Sequence, residues 1–286
     1  MSYWDSLGHH IDLDDLWMSH PRVRERINRR VSGDPTVWPT TWMKGRLLDR
    51  LPLRRAVSLG CGIGNFERDM VRQEIVDEIV GLDVSPLCIE KAVELAREAG
   101  YQSRITYECG DAREWLRTAR DLDAVFFHAS LHHLDRLPEL MGLIQASLRP
   151  GGILYIDEYI GPANHEWRVR DLLLHNTLYY LLPKSVRRVG RIRAPINADD
   201  PTEGVESSGI VPAIEAGFEI LERRDYGGNL LWILYPNLRR PSQGADPVEF
   251  EEAVSFLLDV EDVLLAHPRL TRTRSHFTVI LARPRT

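Results

Sequence analysis

A doubly wound α/β protein is the fold class that this sequence predicts, and three observations carry the prediction. Short apolar strand runs alternate with amphipathic helical stretches from residue 54 to residue 160. The first strand runs into the glycine cluster Gly60-Cys61-Gly62-Ile63-Gly64, and the second ends on Asp83. Parallel strands need long, usually helical crossovers that cover both faces of the sheet, so buried strands read as unbroken apolar runs.

Each element has its own signal. The strand 56–59 is followed by a helix over 66–75 and a second strand over 78–83. Ser85 is placed as an N-cap with Pro86 at the first helical position, the helix runs through 87–99, and Gly100 stops it. A strand at 105–108, a helix at 112–120 and a strand at 124–127 continue the alternation. The helix 137–148 has apolar residues at 137, 140, 141, 144 and 148, and Arg149-Pro150-Gly151-Gly152 turns the chain into a strand at 153–156. An insertion at 160–205 then breaks the rhythm and holds an apolar helix over 172–182. A helix at 211–216 and a strand at 218–223 restore it, a second insertion spans 227–268, and 276–282 is the last strand.

Residues 1–50 read as a separate helical segment of two or three short helices, punctuated by Pro21, Gly33-Asp34-Pro35 and Pro39; residues 51–286 form the main domain. Four of the seven tryptophans, Trp4, Trp17, Trp38 and Trp42, fall in this first segment. Such aromatic density serves either docking on the main core or covering a ligand pocket as a lid, and both readings stand.

Composition narrows the function. The 286 residues carry 36 Lys and Arg against 42 Asp and Glu, a net charge of -6, and 43% are hydrophobic. That balance is globular and argues against nucleic-acid binding through the overall field, which needs clustered positive charge. Cys61, Cys88 and Cys109 form no CxxC pair, which excludes a disulfide scaffold and a cysteine zinc site and suits a reducing compartment. The opening residues lack the basic-then-apolar order of a signal peptide, and no apolar run approaches the ~20 residues of a membrane span. A cytoplasmic protein without a membrane anchor is expected.

The chemistry gathers at the ends of the strands. Alternate glycines let the backbone turn tightly and a ligand approach without a Cβ in the way, and the following helix offers free N–H groups. An acid at the end of the second strand, 19 residues beyond Gly64, accepts hydrogen bonds from a ribose diol. After the third strand, Gly110-Asp111-Ala112 places a carboxylate where an adenine amine can be met. Asp83 or Asp111 alone reads as a helix cap; all three features at adjacent strand ends read as one ligand site.

These residues resemble the class I S-adenosylmethionine-dependent methyltransferases of the small-molecule type. The matching motifs are Leu59-Gly60-Cys61-Gly62-Ile63-Gly64, Gly81-Leu82-Asp83-Val84-Ser85, Gly110-Asp111-Ala112 and Leu148-Arg149-Pro150-Gly151-Gly152-Ile153-Leu154. The glycine spacing is GxGxG, where dinucleotide-binding dehydrogenases have GxGxxG. The resemblance implies a seven-stranded Rossmann-like sheet with an antiparallel last strand. It implies S-adenosylmethionine as cofactor, with Gly60, Cys61, Gly62, Gly64, Asp83, Val84, Asp111, Ala112 and His128 around it. The loop His128-Ala129-Ser130-Leu131-His132-His133-Leu134 then lies near the reacting methyl.

Within this frame His132 is expected as a general base, since an imidazole titrating near neutrality can take a proton from a hydroxyl or amine. His133, Tyr159, Trp167 and His175 are expected around the substrate, and Glu158 or Glu166 as the catalytic carboxylate if the acceptor atom is carbon. Local helix packing is the competing reading for each of them. The other reading of the three histidines is metal binding, as in members of the resembled family that hold a substrate diol on a divalent ion. It is the weaker one, because no DD, DN or HxH ligand set accompanies them, and no metal is expected.

The implied reaction is methyl transfer to an O, N or C atom of a small metabolite, in specialised metabolism or on a sugar. Two alternatives are an RNA or protein methyltransferase, for which Lys184, Arg187, Arg188, Arg191 and Arg193 are the one candidate basic cluster, and a non-catalytic cofactor-binding partner subunit. The apolar helix 172–182 offers a face for a homodimer.

Overall fold

The computed structural model describes residues 16–169, 171–196, 200–271 and 273–285. Trp4 and the first fifteen residues lie outside them. Seven strands form one sheet: β1 (Leu53–Leu59), β2 (Val76–Asp83), β3 (Ile105–Cys109), β4 (Leu122–His128), β5 (Leu148–Tyr159), β6 (Phe218–Gly227) and β7 (Phe277–Pro284). Their order is β3-β2-β1-β4-β5-β7-β6. β1 to β5 pair in parallel, and β7 runs antiparallel to both β5 and β6. The sheet has the doubly wound class and antiparallel last strand that the sequence implied.

The helices are α1 (Pro21–Ser32), α2 (Pro39–Arg46), α3 (Asn65–Arg72), α4 (Pro86–Glu98), α5 (Ala112–Thr118), α6 (Leu137–Ser147), α7 (Asp171–Leu181), α8 (Ile210–Gly217), α9 (Leu231–Leu234), α10 (Pro247–Ala266) and α11 (Pro268–Thr271). Local chemistry sets their ends. The Ser85 hydroxyl accepts from Cys88 N at 3.2 Å, with Pro86 opening α4 as expected. α10 is a 20-residue helix inside the second insertion, where the sequence reading placed none. Asp246 caps it, accepting from Val248 N and Glu249 N, and Phe250, Ala253, Val254, Leu257, Leu258 and Glu261 form its buried face.

Side-chain alternation along the central strands divides the core in two. Ala124 and Phe126 of β4 and Tyr155 of β5 point into one apolar cluster, while Val125, Phe127, Leu154 and Ile156 point into the other. α1 and α2 join the first cluster through Val23, Ile27, Val31, Trp42 and Met43, with Trp17 just ahead of them. Arg26 and Arg30 reach Asp262 of α10, and His20 Nε2 meets Glu251 at 3.1 Å. Docking thus accounts for Trp17 and Trp42; Trp38 is exposed, with Arg24 stacked over it at 4.3 Å.

β4 is buried along its whole length until His128, so the exposed ends of β1, β2, β3 and β4 come together at one edge of the sheet. That edge, where the strand order reverses around β1 and β4, is where ligands bind in open α/β sheets.

Candidate functional site

A crevice of about 540 Å³ opens there, walled by the loops after β1, β2, β3 and β4. Gly60 and Gly64 take left-handed φ values of 73° and 78°, which a side chain rarely adopts. A Cβ on Gly60 would lie 2.5 Å from Ser130 Cβ, so the loops after β1 and β4 meet only because Gly60 has none. The Ser130 hydroxyl seals that contact by donating to Leu59 O at 2.6 Å.

Asp83 organises the second wall. Its Oδ2 accepts from Gly62 N at 2.8 Å and its Oδ1 from Ser85 N at 2.9 Å, so the glycine loop and the start of α4 are held by one carboxylate. Each oxygen keeps a second lone pair for a ligand. Val84 is 56% exposed beside it, an apolar surface at the crevice. Asp111 also lines the crevice, and it is the N-cap of α5, accepting from Arg113 N and Glu114 N. Capping and a place in the crevice wall therefore coexist in that residue. Burial, together with the charges of Glu67 and Asp83, pushes the Cys61 thiol far up, which makes it a wall residue and not a nucleophile.

Glu67 is the feature that the sequence reading missed. It lies on the inward face of α3, is 0% exposed, lines the crevice, and neither carboxylate oxygen completes a hydrogen bond. Burial raises its pKa to about 7, and Ser58 beside it offsets only part of that penalty. The available signal was a carboxylate among Phe66, Met70 and Val71, on the stripe of α3 that packs inward.

The loop after β4 is fixed by Glu158, 1% exposed. Its Oε1 accepts from Ser130 N and Leu131 N, both at 2.6 Å, and its Oε2 from His132 Nδ1 at 2.7 Å. Burial opposes its charge, but the His132 imidazolium and these donors hold its pKa below the usual value. Burial likewise opposes protonation of His132, and the Glu158 carboxylate prevails and raises its pKa. Ala129, at φ 54°, makes the turn that aims these N–H groups.

The site residues expected from sequence divide into two groups. Gly60, Cys61, Gly62, Asp83, Val84, Asp111, Ala112, His128 and His133 line the crevice; Gly64 stands behind it, packed against Tyr107. His128 stacks on Phe66 at 5.2 Å. His132, Glu158, Glu166, Tyr159, Trp167 and His175 are not among the lining residues. Both ring nitrogens of His132 face carboxylates, Glu158 at 2.7 Å and Glu203 at 3.7 Å, so His132 does not present a base to the crevice; its neighbour His133 faces it instead. Glu166 accepts from Ala163 N at 2.7 Å, His175 Nε2 donates to Asn229 O at 2.8 Å, and the Tyr159 hydroxyl donates to Pro162 O at 2.9 Å. Trp167 packs against Trp232 and His276. No residue of 16–50 lines the crevice, so the lid role has no support among the described residues of that segment.

The first insertion does reach the site through Asp200, Thr202 and Glu203. Thr202 lines the crevice, and Val205 N donates to His132 O at 3.2 Å. His133 Nδ1 lies 3.4 Å from Asp200 Oδ2 and 3.3 Å from Thr202 Oγ1. Burial, reinforced by the charge on His132, lowers the His133 pKa and keeps its ring neutral. A second, more open hollow of about 720 Å³ is lined by Arg191, Arg193, Trp232 and Asn237 among others, with no carboxylate or imidazole.

Residues 56–152, which build the crevice strands and loops, match the family model of a methyltransferase domain. This stretch is similar to a methyltransferase domain. It covers β1 through the start of β5, with the glycine loop, Asp83, Asp111 and the β4 loop inside it. The 27-O-demethylrifamycin SV methyltransferase of Amycolatopsis mediterranei is 29% identical to the chain over 126 residues, 42% of this chain and 45% of that protein. A trans-aconitate 2-methyltransferase of Methylobacterium radiotolerans is 34% identical over 117 residues, 38% of this chain and 41% of its own. The chain thus matches less than half the length of these curated relatives.

Solved structures extend the likeness of fold beyond the domain. A geranyl diphosphate methyltransferase, 16% identical, aligns with a TM-score of 0.50 over 85% of this chain and 84% of its own. The cyclase SpnF, 19% identical, aligns with a TM-score of 0.50 over 98% and 96%. No described helix is long and apolar enough to cross a membrane.

Proposed function

We propose that the chain binds S-adenosylmethionine in the 540 Å³ crevice and transfers its methyl group to an oxygen or nitrogen atom of a small metabolite. The observation that carries the reading is the pairing, across one crevice, of Asp83 with the buried, unsatisfied Glu67.

The residues fit the cofactor. Glu67 is an acceptor without a donor, placed behind the glycine loop, and suits the ammonium end of an amino acid. Asp83 keeps lone pairs for a ribose diol, and Val84 and Ala112 provide apolar surface for a flat base. When bound, S-adenosylmethionine supplies a methyl group already activated by its sulfonium. The protein's part is to hold, align and exclude water. Gly60 and Ser130 set the close approach of two loops, and Glu158 makes the β4 loop rigid by satisfying two of its N–H groups. His133 and Thr202 supply polar groups to the crevice wall on the side of the first insertion.

Oxygen or nitrogen is favoured over carbon because the carboxylates expected to remove a proton from carbon are already engaged. Glu158 serves three donors and Glu166 holds Ala163 N. A macromolecular acceptor gains little support from the basic cluster, since Arg187 stacks over Tyr180 and Arg188 donates to Pro236 O. On α7, Leu173 is 62% and Leu181 68% exposed, which supports a homodimer through that helix. The unpaired cysteines support a cytoplasmic setting.

Calorimetric binding of S-adenosylmethionine and S-adenosylhomocysteine, followed by labelled-methyl transfer to a panel of hydroxylated and amino metabolites, tests the reading. Micromolar binding with transfer to one class of acceptor is expected. A folded protein that binds neither compound overturns it.

A further inference from the structure

Two adjacent histidines and a glutamate 70 positions further along the chain converge at the crevice edge, in an arrangement that the domain's fold does not require. The tight turn Leu131–His133 sets the two imidazoles 4.1 Å apart, centroid to centroid. A buried carboxylate faces Nδ1 of each ring: Glu158 accepts from His132 at 2.7 Å, and Asp200 Oδ2 lies 3.4 Å from His133 without completing a hydrogen bond. Both Nε2 atoms are thereby turned toward Glu203, each 3.7 Å from one of its oxygens. Carboxylate–histidine pairs of this kind orient imidazoles toward metal ions, fix their tautomer and raise their basicity.

We propose that His132 Nε2, His133 Nε2 and the Glu203 carboxylate form a binding site for one divalent transition-metal cation of the zinc or iron(II) type. The three ligand atoms all lie within 4.8 Å of one another. Metal–ligand bonds of ~2.0–2.2 Å bring ligand atoms to roughly 3–3.5 Å, so the present 3.7 Å contacts close by a few tenths of an ångström and the widest pair, within 4.8 Å, by up to about 1.5 Å, a small side-chain adjustment. Two imidazoles and one carboxylate are the donor set of open zinc and non-haem iron sites, whereas calcium and magnesium favour oxygen alone.

A second observation points the same way. Asp200 is 1% exposed, and its Oδ2 completes no hydrogen bond. Three carboxylates, Glu158, Asp200 and Glu203, surround two imidazoles, and a cation balances that excess of negative charge. Three protein ligands leave coordination positions open, and His133 and Thr202 both line the crevice. A hydroxyl or carboxylate oxygen of a small molecule is the ligand class for those positions. Its role as methyl acceptor rests on the reading above; the cation site itself does not.

The full-length chain, stripped with a chelator and dialysed, is titrated with zinc chloride by calorimetry and with cobalt(II) by visible absorption. One equivalent of zinc is expected, with d–d bands of a four- or five-coordinate cobalt site. Glu203→Gln and His133→Gln should each weaken zinc binding at least about tenfold, and Asp200→Asn by about 10–100-fold. Glu203→Gln should leave S-adenosylhomocysteine affinity unchanged, which shows that the variant is folded. X-ray absorption of the zinc-loaded wild type should show a nitrogen and oxygen shell without sulfur, independently of any variant.

A wild type that binds no zinc, or binds it no more tightly than the Glu203→Gln, His133→Gln double variant, overturns the site and leaves an ion-pair network. Zinc binding without S-adenosylhomocysteine binding upholds the cation site while overturning the methyl-transfer reading. The reverse result does the opposite.

Discussion

The Glu158 carboxylate accepts the Nδ1 hydrogen of His132 at 2.7 Å, and through its other oxygen it also holds the backbone of Ser130 and Leu131. The loop after β4 therefore hangs from the end of β5. Replacing Glu158 by Gln removes the charge from a buried pair and leaves donors poorly matched. A loss of roughly 1–3 kcal/mol in urea unfolding is expected, and a larger one for Glu158→Ala. Variants as stable as the wild type would show that the loop is held by other contacts.

Asp83 has two tasks, ordering Gly62 N and Ser85 N and offering its remaining lone pairs to a ligand. Asp83→Ala should weaken S-adenosylhomocysteine binding by about tenfold to a hundredfold, the range for losing hydrogen bonds to a charged group. Calorimetry on the two proteins decides it, and equal affinities would remove Asp83 from the site.

Glu67 should make both stability and binding depend on pH. Its folded pKa, about 7, lies above its ordinary 4.5, so between these values the folded state holds more proton than the unfolded. Its contribution is thus fully present below pH 4.5 and lost as pH rises through 7. Glu67→Gln should accordingly gain stability relative to the wild type when the comparison moves from pH 5 to pH 8. Affinity for S-adenosylhomocysteine should rise with pH through 7 in the wild type, as Glu67 ionises to meet the ammonium group, and stay flat in the variant. Parallel pH profiles for the two proteins would refute the pairing.

Gly60→Ala places a Cβ 2.5 Å from Ser130 Cβ on a residue with φ 73°. The left-handed backbone alone costs about 1–2 kcal/mol, and the clash adds to it. A clear drop in melting temperature and loss of S-adenosylhomocysteine binding are expected. Gly142→Ala, in α6 with open space around it, serves as the control and should leave both unchanged or slightly improved.

Thiol labelling provides a simple check of the crevice wall. Cys109 is exposed, Cys88 is buried, and the Cys61 thiol is held protonated by burial and by neighbouring carboxylates. Mass mapping after brief treatment with a thiol reagent at neutral pH should find Cys109 modified first and Cys61 spared. Prompt modification of Cys61 would mean that the crevice environment is more open and less acidic.

Much of this was legible from local pattern. α4 begins where Ser85 and Pro86 say it should, and α6 follows its apolar spacing to Ser147. Strand ends were less exact: β5 is bounded at Leu148, which pairs with Leu122, but pairing with β4 resumes only at Ile153 after a register shift and pairing with β7 only at Leu154, and Gly151 at φ 76° makes the turn read at 149–152. α10 lies inside the 227–268 insertion, where Asp246, Pro247 and a helical apolar stripe mark it locally.

The sequence by itself determined the succession of the seven strands, the glycine loop and the acid at the end of β2. Those features are local: a turn needs its glycine, a cap its hydroxyl, and a buried strand its apolar run, whatever else the chain does. Only the tertiary structure decided which carboxylates act on which histidines. Glu158 reaches His132 across neighbouring strands, while Asp200 and Glu203 arrive from an insertion some 70 residues away, with no signal in their own neighbourhood. Burial, which changes the charge a side chain prefers, likewise belongs to the folded chain and not to any stretch of it; that is why Glu67 looked like one more polar residue until α3 was packed against the sheet.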